Sequence, residues 1–295
     1  MSTPDVKDAQ PAMTSPDQGA RSRQKPRIGR RGAALVGTPL LVLGVVLAAL
    51  NLRPAVTSLA SVLDEVRGSV GASHAWASAL TALPVLCFGL AGVLAPPLAR
   101  RFGVARAIGF ALVMLTTGLG LRVIDGPLVV LGGTLIACSG IAVANVLIPV
   151  VIKQSYPHRI GVVTGLYTAA LAAGGGMGSA VTPSLHNLFG EWRGALGAWA
   201  ILAAAAFLLW IVSARRPSVE VSASSSARGR SLFGNRLAWI VTVFFGLQAL
   251  VAYTVMGWLP EILVDAGVSR STAGLLLAVT NLLGVPLSLL LPPLA

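Results

Sequence analysis

The stretch "TPLLVLGVVLAALNLRPAVTSLASVL", Thr38–Leu63, decides the fold. It carries one charge, Arg53, in a run otherwise soluble in hydrocarbon. About 20 mostly apolar residues cross a bilayer as a helix. Thr38 reads as the N-cap and Pro39 as the first helical residue, where the missing N–H of proline costs nothing. Arg53 is then 15 residues in, roughly 22 Å along the axis at 1.5 Å per residue. That depth predicts a buried arginine somewhat off the bilayer midplane. A central arginine costs about 2.5–3.5 kcal/mol to insert, so it needs a partner, a cavity or a ligand.

The pattern repeats along the chain. Of 295 residues, 55% are hydrophobic and 11% charged, and the mean hydropathy is +0.80. Soluble domains carry about 25% charged residues. Eight candidate spans follow: 38–63, 75–98, 105–122, 127–151, 160–187, 194–214, 236–260 and 270–295. Short polar links with turn residues separate them, among them "RGSVGASH", "KQSYPHR" and "DAGVSR". No segment alternates with period two at barrel spacing, so helices remain. The predicted fold is an all-α membrane bundle of about eight helices.

Lys and Arg set the orientation. With the N-terminus in the cytoplasm, most of the 22 basic residues fall on the inner side. They include Arg21–Arg31, Arg100, Arg101, Arg106, Lys153, Arg159 and the cluster Arg215–Arg236. Arg67, Arg122, Arg193 and Arg270 fall at outer ends. The net charge of +12 therefore belongs to helix ends and not to a nucleic-acid face. Residues 1–33 are polar, Pro-rich and basic, and read as a disordered cytoplasmic tail.

A shift of 196 residues lays Gly71–Ala99 over Gly267–Ala295. Gly71, Ser73, Ala77 and the terminal "PPLA" meet identical residues. Internal repeats of this kind mark secondary transporters. The domains expected are the tail, a six-helix bundle over 34–214, a cytoplasmic linker over 215–235, and the first two helices of a second bundle over 236–295. A complete second unit would carry the chain to roughly 390 residues. The expectation is a two-unit transporter without its last four helices in these 295 residues, their counterpart faces at Gln248 and Asn281 exposed or poorly paired.

Polar groups inside the spans are few. Asn51 and Pro54 flank Arg53. Asn145 lies in helix four, Tyr167 and Thr168 in helix five, Gln248 and Tyr253 in helix seven. For most of these, an interhelical hydrogen bond that only packs helices is the competing reading. No Asp or Glu occupies a span at the depth of Arg53, and an arginine without a carboxylate is suited to an anion. Trp192 and Trp258 read as interface anchors; His74, His158 and His186 read as solvated loop edges. Cys87 and Cys138 read as small apolar packers, with no metal motif. "AAGGGMGSA" in helix five reads either as tight packing or as a sliding contact between repeats.

"LNLRPAVTSL", "LTALPVLCFGLAGVLAPPLARRFG", "GIAVANVLIPVVIKQSYPHRIGVVTGLYT" and "GLQALVAYTVMGWLPEILVDAGVS" closely resemble the cyanate/2-nitroimidazole transporter family of the major facilitator superfamily. The resemblance spans roughly 38–295. It implies two six-helix bundles, a solute held between them and alternating access. It also implies a facilitated or proton-coupled carrier of a small polar solute or anion, monomeric in the cell membrane. Carried residue by residue, it makes Asn51, Arg53, Asn145, Tyr167 and Gln248 cavity-lining positions, with Tyr253 beside them. The superfamily loop between helices two and three usually holds an acid; "ARRFGVAR" has none. No cofactor or metal is implied. The competing readings are a multidrug-type efflux protein, disfavoured by the lack of a mid-span acid; a membrane enzyme, for which no HExxH or phosphate-loop motif occurs; and a non-transporting remnant.

Overall fold

The computed structural model describes residues 37–214, 236–283 and 286. The expected tail, the linker and the "PPLA" end of helix eight lie outside them. Within them the chain runs through α1 (Pro39–Leu52), α2 (Pro54–Ala60), α3 (Leu63–Ser69), α4 (His74–Phe102), α5 (Val104–Leu121) and α6 (Pro127–Ser155). It continues through α7 (Ile160–Phe189), α8 (Trp192–Ala214), α9 (Arg236–Asp265) and α10 (Arg270–Leu282). No strand occurs among the described residues. Among the described residues, seven helices, counting α1 with α2 as one, are long and apolar enough to cross a membrane.

The first span starts where the sequence places it. Thr38 is extended and its Oγ1 accepts from the Leu41 N–H at 3.2 Å, with Pro39 in the first turn. The Tyr156 hydroxyl donates to the Thr38 carbonyl at 2.6 Å, which ties this start to the link between α6 and α7. Arg53 and Pro54 interrupt the span without ending it. Arg53 keeps right-handed helical angles, φ −92° and ψ −35°. Its carbonyl accepts from Val56 and Thr57 N–H at 2.9 and 3.1 Å. The interruption falls at Pro54, whose ring removes one backbone donor and crowds the preceding turn, the ordinary cause of a bend in a helix.

The repeat has a structural counterpart at its turns. Gly71 and Gly267 adopt φ +63° and +88°, a region that L side chains rarely enter. Two residues later Ser73 and Ser269 cap α4 and α10, accepting from Trp76 N–H at 3.3 Å and Thr272 N–H at 3.2 Å. The same Gly-x-Ser turn thus opens helices 196 residues apart in the sequence.

Packing rests on small residues. A Cβ on Gly118 would stand 2.8 Å from the Ala137 Cα, and one on Gly140 would stand 2.9 Å from the Leu115 nitrogen, so α5 and α6 touch backbone to backbone. The core joins Leu41 and Val45 of α1, Ile108 and Leu115 of α5, Ile141 and Ile148 of α6, and Trp199 and Trp210 of α8. Both indoles are satisfied there: Trp210 donates to the Ala105 carbonyl and Trp199 to Thr182 Oγ1, each at 3.0 Å. Apolar side chains also cover the outer surface, with Val93 and Ile201 73% and 74% exposed. Soluble monomers rarely expose such contiguous apolar area; a lipid-facing surface is made of it. Trp192, expected at the interface, is instead 2% exposed and packs with Leu63, Val66 and Leu196, because α3 folds over it.

Candidate functional site

Arg53 sits at the bend between α1 and α2 and lines a cavity of about 400 Å³. The other walls come from Thr168, Leu171 and Ala172 of α7, Ala252, Val255 and Met256 of α9, and Leu277, Thr280 and Asn281 of α10. That volume falls within the range of small-molecule sites. The arginine Nη1 donates to Asn281 Oδ1 at 3.4 Å. The same amide donates through Nδ2 to the Leu277 carbonyl at 2.9 Å, which fixes its orientation. Among the described residues no carboxylate pairs with Arg53, and no acid lines this cavity. The guanidinium therefore keeps donor capacity directed at a space walled by α7, α9 and α10.

The glycine run of α7 makes this arrangement possible. Pro54 has no N–H for the Leu50 carbonyl, and Gly174 lies against that carbonyl so closely that a Cβ would collide with its oxygen and stand 2.9 Å from its carbon. One turn on, a Cβ at Gly178 would stand 2.7 Å from the Pro54 Cα and collide with Thr57 Oγ1. On the other side of the helix, a Cβ at Gly175 would meet Asn281 Oδ1 at 2.9 Å and Arg53 Cδ at 3.3 Å, and one at Gly176 would meet Leu282 at 3.2 Å. The run is thus divided by face. Gly174 and Gly178 seat the bent first span, while Gly175 and Gly176 admit α10.

The other expected site residues lie differently. Tyr167, 5% exposed, donates to Asn145 Oδ1 at 2.8 Å and joins α7 to α6. The Tyr253 ring packs on Phe88 with centroids 5.3 Å apart. Neither phenol is among the cavity walls. Asn51 is 2% exposed and donates to the Leu47 carbonyl at 2.8 Å, so its amide serves its own helix. Gln248 is exposed on α9 and is not among the cavity walls. Asn281, expected to be exposed or poorly paired, is 6% exposed and doubly bonded, because α10 packs into the gap that the α7 glycines leave.

The sequence reading gave Asn281, Thr280 and Met256 no part in the site. The only available signal for Asn281 was an amide inside an apolar run. At the end of the bundle that carries Asp64 and Arg270, Glu65 of α3 accepts from His186 Nε2 of α7 at 2.7 Å and from Arg270 Nη1 of α10 at 3.4 Å. The sequence reads these as solvated helix ends, whereas the fold joins three helices through one carboxylate. His74 likewise contacts Arg67, which also pairs with Asp64 at 2.8 Å. The largest departure is Arg122, read as an outer helix end but 0% exposed.

Apolar helices with a hydrocarbon surface and an arginine-lined cavity between the first span, α7, α9 and α10 define a multi-pass α-helical membrane protein. Residues 41–295 match the Major Facilitator Superfamily, and the chain belongs to it. It is 37% identical over 255 residues to the 2-nitroimidazole transporter of Escherichia coli (strain K12), covering 86% of this chain and 65% of that protein. It is 31% identical over 256 residues to the cyanate transport protein CynX of the same organism, covering 86% and 66%. The chain thus spans just under two thirds of the length of the curated relatives it matches. An auto-inhibited peptide transporter of the POT family shares the fold with a TM-score of 0.52 at 18% identity, over 84% of this chain and 51% of that one.

Proposed function

We propose that this chain forms the solute-handling part of a secondary carrier for a small polar solute or small anion, facilitated or proton-coupled, working by alternating access. The observation that carries the reading is Arg53. Among the described residues its guanidinium, facing a cavity between helices of the two repeat units, has only a neutral amide, Asn281, as side-chain partner. A planar fork of N–H donors is complementary to an electronegative end such as a carboxylate, a nitro group or a cyanate. The likeness to a 2-nitroimidazole transporter and to a cyanate transport protein supports solutes of this kind.

In this reading Arg53 and Asn281 hold the electronegative end, while Leu171, Val255, Met256 and Leu277 face the rest of the solute. Tyr167 and Asn145 brace α7 against α6 behind the arginine, and Tyr253 stands beside it. The bond from Arg53 to Asn281 crosses between repeat units, so a solute that takes it over would couple binding to their separation. The Glu65 contacts to His186 and Arg270 would have to break when that end opens. The N-terminus is proposed to be cytoplasmic, and the working unit a monomer. No described residue gives the cavity the carboxylate that a cationic drug would require, which favours an anion or polar solute over multidrug efflux.

The test is binding of radiolabelled cyanate and of 2-nitroimidazole to the purified chain in detergent. Arg53→Ala is expected to lower affinity for the bound solute at least about tenfold. Binding by Arg53→Ala equal to that of the unmodified chain, at equal folded protein, would sink the assignment.

A further inference from the structure

Arg122 closes α5 and is completely buried. Its Nε donates to Thr134 Oγ1 at 3.0 Å and its Nη1 to the Ala55 carbonyl. Its Nη2 is buried with no hydrogen-bond partner among the described residues. Both partners are neutral, so the charge is unmatched. The nearby acids are engaged elsewhere: Asp64 with Arg67, Glu65 with His186 and Arg270, and Asp125 with Arg193. Glu261 lines a different cavity, with Arg270. A buried cation without a counter-charge is a costly state that proteins relieve by pairing.

Arg122 also lines a cavity of about 20 Å³, set between Val56 and Leu59 of the first span, Pro84 of α4, Cys138 of α6 and Gly257 of α9. A single water-sized body needs roughly 10–15 Å³ on the same measure. The cavity therefore excludes a solute of several atoms and takes at most one small ion; a halide, being larger than water, must push the wall outward slightly to reach Nη2. Two hydroxyls on its wall are already used as donors, Thr134 to the Val130 carbonyl at 2.7 Å and Thr81 to the Ala77 carbonyl at 3.2 Å. The wall is otherwise mostly apolar, and a water there would find fewer than its usual three or so partners while leaving the charge unmatched.

We infer that Arg122 holds a single monovalent anion of halide size in this cavity, separate from the Arg53 cavity. The anion accepts from Nη2 and from the Cys138 thiol and supplies the counter-charge that no described residue gives. It lies where the first six helices meet Gly257 of α9. The site does not depend on what the Arg53 cavity carries.

Bromide is the probe. Crystals of the whole chain grown in bromide are expected to show an anomalous peak within hydrogen-bond reach of Nη2; no peak there overturns the inference. In solution, thermal unfolding is compared in bromide and in gluconate, which is too large to enter, at equal ionic strength. At bromide about a hundredfold above Kd, the midpoint is expected to rise by roughly 5 °C. That gain should vanish in Arg122→Met and persist in Arg53→Met. A gain that is the same in all three proteins, or that follows Arg53, overturns the proposal. A crystal peak without any gain in solution marks an adventitious ion only and does the same. If Arg122→Met does not fold, the unmodified chain decides through both measurements.

Discussion

Substituting Gly174 by alanine tests the central packing claim, because helix propensity and the structure demand opposite signs. Within a helix, alanine is favoured over glycine by about 0.8–1.0 kcal/mol. At Gly174 the added methyl would collide with the Leu50 carbonyl oxygen and stand 2.9 Å from its carbon and 3.2 Å from its Cα. A carbon normally stays about 3.3–3.6 Å from such an oxygen. The obstacle is backbone, which no rotamer change relieves, so α7 must move away from the bent first span. Overpacking usually costs about 1–3 kcal/mol, and a rigid obstacle places this case at the upper end. The net expectation is a loss of roughly 2 kcal/mol after the propensity gain, or about 4–8 °C in unfolding midpoint. The shift also carries Gly175 away from Arg53 and Asn281, so solute binding should weaken as well. The control is Gly120→Ala on α5, where nothing stands within 4 Å of an added Cβ; it should be neutral or stabilising. Both are read by thermal unfolding in detergent with binding measured alongside. Equal midpoints for the two variants would refute the claim that α7 owes its glycines to Leu50 and Pro54.

Four further outcomes are expected. Arg53→Lys keeps the charge but loses the fork, so binding should weaken by about tenfold, while membrane insertion, read by surface labelling, stays intact. Asn281→Asp places a carboxylate 3.4 Å from Arg53; fold stability should hold or rise while affinity for anions falls at least tenfold, by roughly 1.4 kcal/mol or more, and unchanged anion affinity would contradict the site. Thr38→Ala removes the cap of α1 and should cost about 1 kcal/mol, or a few degrees in midpoint. Cysteines introduced over 100–106 and 215–235 should react only with reagent supplied from the cytoplasm, and those over 66–72 only from outside; labelling of 215–235 in sealed cells would reverse the proposed orientation.

The spans, their starts and the all-α class were legible from the chain alone, for a physical reason. In hydrocarbon every backbone group must be satisfied within its own helix or a closed sheet, so the local run of apolar residues settles the element. Capping is equally local: Thr38, Ser73 and Ser269 each bond an N–H three residues away. Arg53 was conspicuous for the same reason, as a charge within an apolar run. Its partner was not. Asn281 lies 228 residues away, and which face of α10 meets α7 depends on helix rotation and approach, which glycines set by what they leave out. The division of "AAGGGMGSA" between two neighbours could not be seen in its composition. Nor could the fate of residues near helix ends, where hydropathy allows either snorkelling or burial. Tertiary packing alone placed Arg122 inside against the Ala55 carbonyl and drew Glu65 to both His186 and Arg270, because those outcomes depend on which helices become neighbours.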